Sequence, residues 1–307
     1  MGETSMTKNS IPSVAVVMST YNGEKYVREQ LDSVLGQDYG NVSVFVRDDG
    51  SSDGTVGVLE PYEREGRIQL ERGKNAGVVR SFFSLLAEVA GRFDYVAFCD
   101  QDDRWHPDKV SRAVDVLQVR DASVPQLYCS EYEFCDAELR PQGRSHLNRR
   151  GVGFPTMLYE NMVSGNTTLM NDALVRAVVS VGVEGVYCHD WWCALVASAI
   201  GELTFDDFAS LDYRRTGSNV SATGTGGMSL LRYRARKFLQ GGELANVTRQ
   251  LRKLDRDFGD AMPMERRRIL ERFLDGGRWR KATAPVRLRQ KGWEELALRI
   301  LFLVGRL

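Results

Sequence analysis

The segment Ser13-Val-Ala-Val-Val-Met-Ser-Thr20 is a short apolar run rich in valine, and it predicts a buried β-strand followed by a loop at Tyr21-Asn22-Gly23. Apolar residues recur at helical spacing from Tyr26 to Leu35 and predict a helix, with Asn22 as its cap. Val42 to Arg47 repeats the strand pattern. Strand, helix and strand in this order form a βαβ unit with parallel strands, so the loops that follow the strands lie at one edge of the sheet. Open α/β sheets bind their ligands at that edge.

The same alternation continues along the chain. It predicts further helices over residues 55–64, 78–89 and 109–119, further strands over 68–70, 95–99 and 126–133, a loop to Pro155, a strand-like segment over 161–170, and a helix beginning at His189-Asp190. Beyond the glycines at 224, 226 and 227 the strand pattern disappears. Basic amphipathic helices are predicted there, around residues 230–239, 244–258, 264–274 and 293–304. We therefore predict an α/β domain over residues 1–227 and a basic helical C-terminal region over residues 228–307.

The composition is that of a globular protein with a divided charge. The chain of 307 residues is 43% apolar and 27% charged, which is enough for one sizeable core. Its 41 basic and 41 acidic residues balance overall, but residues 228–307 hold 20 Lys/Arg against 9 Asp/Glu, and residues 1–227 hold 21 against 32. Few aromatic residues in the basic region could stack on bases, so nucleic acid is not expected as a partner.

The cysteines and the apolar runs indicate the cellular compartment of the protein. The five cysteines are odd in number and none form a C-x-x-C pair, which argues against a disulfide framework or a zinc site and fits a reducing cytosol. The first ten residues are polar, and the longest apolar run, Ile300 to Val304, is far shorter than the roughly 20 residues of a spanning helix. We expect a cytoplasmic protein that does not cross a membrane by itself. A homo-oligomer is left open.

Three aspartates, Asp100, Asp102 and Asp103, follow the strand predicted over residues 95–99. Carboxylates this close repel one another, and a bound hard cation such as Mg²⁺ or Mn²⁺ relieves the repulsion. Alternate side chains of an Asp-x-Asp segment can share one ligand, here a metal that bridges two phosphate oxygens. A solvated acidic turn is the alternative. The metal is favoured because a second acidic turn, Asp48-Asp49, ends a strand of the same predicted sheet.

Together these motifs resemble the inverting glycosyltransferases of family 2, which have a GT-A fold. The resemblance rests on Ser19-Thr-Tyr-Asn-Gly23, Arg47-Asp-Asp-Gly-Ser-Ser-Asp-Gly54 and Phe98-Cys-Asp-Gln-Asp-Asp-x-Trp105-x-Pro107-Asp-Lys109, which occur in this order. It continues with Asn75-x-Gly77, Ser164-Gly-Asn-Thr-Thr168 and His189-Asp-Trp-Trp192, and so covers about residues 13–220. Among family members, the wording is most similar to the rhamnosyltransferase-type enzymes of bacterial surface polysaccharide synthesis.

The resemblance implies a Rossmann-like mixed sheet flanked by helices, with the C-terminal helices as an extension of the catalytic domain. It implies a nucleotide diphosphate sugar as the donor, with dTDP or UDP as the nucleotide, and a glycan or lipid-linked hydroxyl as the acceptor. The residues that would bind the donor are Thr20, Tyr21, Asn22, Asp48, Asp49, Asn75, Arg80, Asp100 and Gln101. For Arg80, a solvated arginine at a helix start is an equal alternative. A Mn²⁺ or Mg²⁺ ion would lie at Asp102, Asp100 and Asp103.

On the acceptor side, the resemblance implies Asp190 as the catalytic base. A sugar hydroxyl is a poor nucleophile until its proton is removed as it attacks the anomeric carbon. His189 is an alternative base, or a residue with a structural hydrogen bond. Trp191 and Trp192 would present a flat apolar surface to the acceptor sugar beside His189, with core packing as an equal alternative. Direct displacement by this route inverts the anomeric centre.

One segment departs from the family pattern. Relatives of the rhamnosyltransferase type often continue with Tyr-Arg-x-His, whereas this chain has Tyr213-Arg214-Arg215-Thr216. If that histidine contacts the metal or the diphosphate in relatives, its absence here would lower the affinity for the metal, or Arg214 or Arg215 would make the contact instead.

Other function classes share parts of this pattern. A nucleotidyltransferase that makes sugar nucleotides would also have an α/β sheet and metal-binding aspartates, but it ordinarily has a glycine-rich basic phosphate loop that Ser19 to Gly23 lacks. A nucleotide- or carbohydrate-binding module would keep the pocket without turnover. Loss of transfer with retained donor binding in Asp190→Asn would exclude the module.

The basic C-terminal region has two equal interpretations. Its cations lie among apolar residues at helical spacings, which suits helices on anionic lipid near a lipid-linked acceptor. The helices would equally pack on the acidic body and expose their basic faces to solvent.

Overall fold

The structure is a computed structural model, and it describes residues 11–216 and 242–307. The strands are β1 (Val14–Thr20), β2 (Val42–Asp48), β3 (Gln69–Arg72), β4 (Tyr95–Cys99), β5 (Arg104–Trp105), β6 (Gln126–Cys135), β7 (Pro141–Arg144), β8 (Leu169–Asn171) and β9 (Glu202–Arg214). The helices before the gap are α1 (Val27–Leu35), α2 (Thr55–Arg64), α3 (Val78–Val89), α4 (Lys109–Leu117), α5 (Phe154–Met157), α6 (Asp172–Ser180) and α7 (His189–Ile200). After the gap they are α8 (Gly242–Phe258), α9 (Met264–Asp275), α10 (Arg278–Ala282) and α11 (Gly292–Leu303).

The described strands form one mixed sheet in the order β3-β2-β1-β4-β8-β6-β9-β5, with β7 paired to β6. The first four strands are parallel, as the predicted βαβ unit requires. Strand β8 runs antiparallel to both β4 and β6, and β9 runs parallel to β6. The short strand β5 returns antiparallel to the end of β9. The segment after β4 is therefore anchored at one end by β4, inside the sheet, and at the other end by β5, at the edge of the sheet.

Apolar side chains cover both faces of the parallel half. In β1, Val14, Val16 and Met18 pack into one cluster, while Ala15 and Val17 pack into another on the opposite face. All five are fully buried. A strand buried on both faces reads as a continuous apolar run, which is why this segment decides the fold at the sequence level.

Most of the predicted elements are confirmed, and α3 and β4 have the predicted bounds. Asn22 is not the cap of α1: Tyr26 takes that position, and Asn22 has a φ of 49° and accepts a hydrogen bond from the Ser52 amide at 2.8 Å. The strand-like segment predicted over residues 161–170 is confirmed only at its end, where Leu169–Asn171 pairs in the sheet, because Gly165–Thr167 forms a 3-10 turn.

Further differences lie in the second half of the body. The loop predicted before Pro155 contains β7, a hairpin partner of β6. Helix α6 and strand β9 were not predicted; in β9, Asp206 and Asp207 interrupt the apolar pattern. The helix predicted over residues 230–239 and the domain boundary at 227 fall outside the described residues.

The C-terminal helices pack on the body through aromatic side chains. Phe258 of α8 lies 6.2 Å from Trp192, ring centre to ring centre. Tyr159 contacts both Phe273 of α9 and Phe302 of α11, at 5.7 and 5.4 Å. These helices therefore share a core with the body. Within the described ranges, no helix combines the length and the apolar character needed to span a bilayer.

Candidate active site

Three loops meet at the carboxyl edge of the parallel strands. In the sheet register Thr20 lies beside Asp48, and Met18 beside Cys99, so the segments after β1, β2 and β4 leave the sheet together. The Gln101 side chain holds two of the loops together: it accepts from the Tyr21 amide at 2.9 Å and donates to the Tyr21 carbonyl at 3.1 Å. This edge is where the donor-binding residues were predicted.

In the acidic turn after β2, the carboxylates of Asp48 and Asp49 bind other groups of the protein. Asp48 is buried and accepts hydrogen bonds from Thr20 Oγ1 at 3.0 Å and from the amide and hydroxyl of Ser51 at 2.9 and 2.5 Å. Asp49 is also buried and pairs with Arg47 at 2.5 Å. These carboxylates therefore shape the turn.

Asp49 also fixes the loop before α3. Its two oxygens accept from the amides of Ala76 and Gly77, each at 2.9 Å. Gly50 adopts a φ of 82°, and a Cβ there would lie 3.0 Å from the amide nitrogen of Asn75, so only glycine suits this close approach. Asn75 is exposed beside the turn. Asp49 and Gly50 thus position Asn75, a candidate donor-binding residue, at the edge of the sheet.

Arg80 lies in the first turn of α3 with a largely exposed side chain. It pairs with the exposed Glu184 at 3.0 Å. This is the arrangement expected of a solvated arginine at a helix start, the alternative given for it above.

The acidic turn after β4 differs from the first turn in the hydrogen bonds that its carboxylates accept. Asp100 and Asp102 are half-buried, and within the described ranges no other residue donates a hydrogen bond to either carboxylate. Burial, together with the charges of Asp102 and Asp190, raises the pKa of Asp100 to about 7. Burial also raises the pKa of Asp102. The Asp102 backbone amide and the charge of Arg214 offset the burial of Asp102 only in part, and among the described residues no donor or cation offsets the burial of Asp100.

Asp103 is separated from this pair. It is fully buried, and its oxygens accept from Asn166 Nδ2 at 2.5 Å and from the Arg214 amide at 3.1 Å. Burial and the two neighbouring aspartates raise its pKa well above the usual range. In the described part of the chain, the three aspartates do not converge into a three-ligand group. The pair Asp100 and Asp102 fits a hard cation that binds through one or two carboxylates and completes its shell with ligand oxygens.

Arg214 supports this turn from the end of β9, a role that the sequence did not reveal. Its Nε donates to the Asp102 carbonyl at 2.8 Å, and its other nitrogens reach the Ala137 carbonyl and Glu29, both at 2.5 Å. The side chain is almost fully buried and lies over the Tyr26 ring. The arginine therefore binds the backbone of the turn and leaves the Asp102 carboxylate uncovered.

Asp190 lies in the first turn of α7 and faces the same edge. Oδ1 accepts from Asn161 Nδ2 at 3.1 Å, from the Cys188 thiol at 2.9 Å and from the Trp191 amide at 2.6 Å. Oδ2 accepts from the Gly165 amide at 3.0 Å. A Cβ at Gly165 would lie 3.2 Å from the Asp190 Cβ, so glycine allows the close approach. The half-exposed carboxylate is held in one orientation, near enough to Asp100 to raise the pKa of that group.

His189 packs in the core next to this carboxylate. Its ring stacks on Phe82 at 4.2 Å and meets the edge of Phe98 at 4.9 Å. Burial lowers its pKa. The ring is 8% exposed, and its Nδ1 is buried without a hydrogen-bond partner among the described residues. His189 is therefore held by aromatic packing, and neither the predicted base nor the predicted structural hydrogen bond is supported.

The prediction that the tryptophan pair presents a surface to the acceptor is corrected by the structure. Trp192 is fully buried, with its ring beside Phe258 and under Lys253 Nζ. Trp191 is also buried, and its indole nitrogen donates to the Met157 carbonyl at 2.7 Å. Both rings belong to the core, Trp192 under α8 and Trp191 against Met157 and Tyr187.

Chemically, the edge combines two uncovered carboxylates that can hold a cation with a third, oriented carboxylate that can accept a proton.

Residues 15–174 match the profile of the family described as "Glycosyl transferase family 2". A dTDP-rhamnosyl transferase of Shigella flexneri, RfbG, is 35% identical over 111 residues, which is 34% of this chain and 38% of that protein. Two other curated relatives are matched over 57% of their length.

Solved structures share the fold. TarS 1-349 of S. aureus in complex with UDP-GlcNAc superposes with a TM-score of 0.57 at 16% identity, covering 96% of this chain and 81% of that one. The mannosyltransferase PcManGT of Pyrobaculum calidifontis, in complex with GDP-Man and Mn²⁺, gives a TM-score of 0.53 at 16% identity, with 97% and 75% coverage. The mixed sheet flanked by helices is the GT-A architecture predicted above.

Proposed function

The chain belongs to glycosyltransferase family 2, and we propose that it transfers a sugar, with inversion, from a nucleotide diphosphate donor to a hydroxyl of a bacterial surface glycan or its lipid-linked precursor. A dTDP- or UDP-sugar is the proposed donor, and L-rhamnose the proposed sugar. The name of the Shigella relative supports dTDP-rhamnose, and the complex of TarS with UDP-GlcNAc supports a uridine donor as the alternative. The five cysteines are unpaired, in keeping with a cytoplasmic site of action.

The observation that carries the proposal is the contrast within one edge of the sheet. Within the described ranges no other residue donates a hydrogen bond to Asp100 or Asp102, while the neighbouring Asp190 is held by four donors. Uncovered, partly desolvated carboxylates bind a hard cation well. A carboxylate with a fixed orientation suits proton abstraction from a positioned hydroxyl. The two roles of the transfer reaction thus fall on different aspartates.

On the donor side, Asp100 and Asp102 would hold a Mn²⁺ or Mg²⁺ ion. Such an ion, when bound, acts as a Lewis acid that stabilises the negative charge of the departing nucleoside diphosphate. Tyr21, Asn22 and Asn75 are exposed at the same edge and would contact the nucleotide. Thr20, Asp48 and Gln101 would act by shaping the loops, since their polar groups already bond within the protein.

On the acceptor side, Asp190 would accept the proton of the attacking hydroxyl. Asn161 binds Oδ1 and the Gly165 amide binds Oδ2, so the carboxylate is held in one orientation for the incoming group. Attack on the face of the anomeric carbon opposite the diphosphate then inverts the configuration. Asp103, turned into the core, would have no direct part in this step.

The test is a thermal-shift screen of dTDP-, UDP- and GDP-sugars with and without Mn²⁺, followed by transfer assays on the donor that stabilises the protein. We expect one nucleotide to raise the melting temperature more in the presence of Mn²⁺. The variant Asp190→Asn should keep this shift and lose transfer. Stabilisation by none of the nucleotides would contradict the proposal, and formation of a sugar nucleotide from a sugar phosphate would favour a nucleotidyltransferase instead.

A further inference from the structure

Helix α11 carries its charges on the side that faces the protein. Arg299 donates to the carbonyls of Lys281, Ala282 and Ala284 at 3.0 to 3.1 Å, and it pairs with Glu295. Glu295 also accepts hydrogen bonds from the backbone amides of residues 288 and 289. Glu294 is buried beside Arg289. The polar residues of this helix are therefore used in its packing on the body.

The opposite side of α11 and the residue that follows it are apolar and exposed. Five side chains, 37 to 63% exposed, form this outer face: Trp293, Leu296, Ile300, Leu303 and Val304. Their spacing of three, four, three and one residues puts them on one helical stripe. Leu298 and Phe302, on the inner side, are fully buried. Water-soluble helices ordinarily show the reverse pattern, with apolar residues inward and charges outward.

A second exposed tryptophan lies on the neighbouring helix. Trp279 of α10 is 73% exposed, and α10 packs against α11. The remaining three tryptophans, at 105, 191 and 192, are buried. Tryptophan is enriched at the boundary between water and lipid, because its ring is apolar and its N–H is polar.

Cations surround the outer face. From residue 276 to residue 307 the chain has eight Lys/Arg and two Glu, and Arg299 and both glutamates are turned inward. Five of the eight cations are exposed: Arg278, Arg280, Arg287, Lys291 and Arg306. The guanidinium of Arg278 lies against Gly305, just beyond the helix. Arg306 lines, together with Arg249 and Arg252 of α8, a groove of about 590 Å³ at the same end. An apolar stripe with a basic rim is complementary to lipid tails below a layer of anionic headgroups.

We propose that the outer face of α11, with Trp279, docks on the surface of an anionic phospholipid bilayer, with α11 lying in the plane of the headgroups. A second copy of the chain is a poorer occupant. A two-fold symmetric contact would bring the same basic rim against itself, and like charges repel. The surface is independent of the carboxylate edge, so it extends the proposed function without depending on it.

The test is sedimentation of the full chain with vesicles of phosphatidylcholine alone or with about a third phosphatidylglycerol. We expect binding to the anionic vesicles that weakens as salt is raised, and a blue shift of tryptophan emission that comes from the two exposed tryptophans. The double variant Leu296→Glu/Ile300→Glu should lose at least tenfold in binding. Val119→Glu, at an equally exposed apolar residue of the body, should bind like the wild type.

Further controls separate docking from misfolding and self-association. Both variants should keep the wild-type melting temperature and donor-induced shift, and Trp293→Ala, which adds no charge, should also weaken binding. The proposal is overturned if the wild type ignores anionic vesicles or if the double variant binds them equally well. It is also overturned in favour of a second copy if light scattering finds a wild-type dimer that the double variant abolishes.

Discussion

Two acidic turns lie at the same edge of the sheet, one after β2 and one after β4, and they use their carboxylates in opposite ways. In the first, Asp48 and Asp49 accept hydrogen bonds from Arg47, backbone amides and hydroxyls, so they build the turn. In the second, Arg214 supports the backbone from outside and leaves Asp100 and Asp102 uncovered. A turn that is built by its neighbours keeps its own charges available for a ligand.

The largest expected loss of stability comes from the first turn. Asp49→Ala leaves Arg47 as a buried charge without this partner and removes the acceptor of two amides. We expect the free energy of unfolding to fall by about 3–5 kcal/mol, as for other broken buried pairs. Denaturant unfolding measures it. Asp49→Asn, which keeps one acceptor oxygen, should lose less, and an unchanged midpoint in Asp49→Ala would show that the carboxylate does not build the turn.

A substitution in the second turn should lower the transfer activity rather than the stability. Asp102→Asn is expected to lower the transfer rate about 100-fold, or about 3 kcal/mol, because a ligand of the cation is lost. The melting temperature without cation should stay the same or rise, since repulsion with Asp100 is relieved. Stabilisation by Mn²⁺ should disappear. The exposed Asp108, outside the turn, provides the control Asp108→Asn, and a fall in stability of Asp102→Asn without loss of the Mn²⁺ response would erase the contrast between the turns.

The sequence showed both turns but not the difference between them. Local patterns place β4 and α3 correctly, because each apolar run depends only on neighbouring residues. The occupancy of a carboxylate depends on distant groups: Arg214 reaches Asp102 across 112 positions of the chain. The same reason explains Trp192, since its burial depends on α8, and Asn22, whose side chain is taken by Ser52 of another loop.

A smaller effect is expected at the external support of the second turn. In Arg214→Lys the charge remains, but the single ammonium nitrogen cannot span the acceptors on Asp102, Ala137 and Glu29, which three separate guanidinium nitrogens reach. We expect a loss of about 1–3 kcal/mol in unfolding free energy and a weaker Mn²⁺-dependent shift. Arg112→Lys, whose parent side chain binds Asp206 and stacks on Phe208 outside the turn, is the matched control and should change only stability. Equal Mn²⁺ responses in the two variants would show that Arg214 does not position the turn.

The smallest effect concerns pH. His106, which follows β5, contacts Asp212 at 3.1 Å, and this hydrogen bond raises the pKa of His106 above its usual 6.5 against the opposing effect of burial. Arg104 binds the other oxygen of Asp212, so both residues tie the segment after the second turn to β9. Because the folded pKa is the higher one, the stabilisation is complete below pH 6.5 and is lost as pH rises through the folded value. We expect His106→Gln to cost at most about 1 kcal/mol at pH 6 and nothing at pH 9, since the pair is partly solvated. Unfolding curves of both proteins across this range measure the difference, and a constant gap would mean that the histidine supports the turn only by packing.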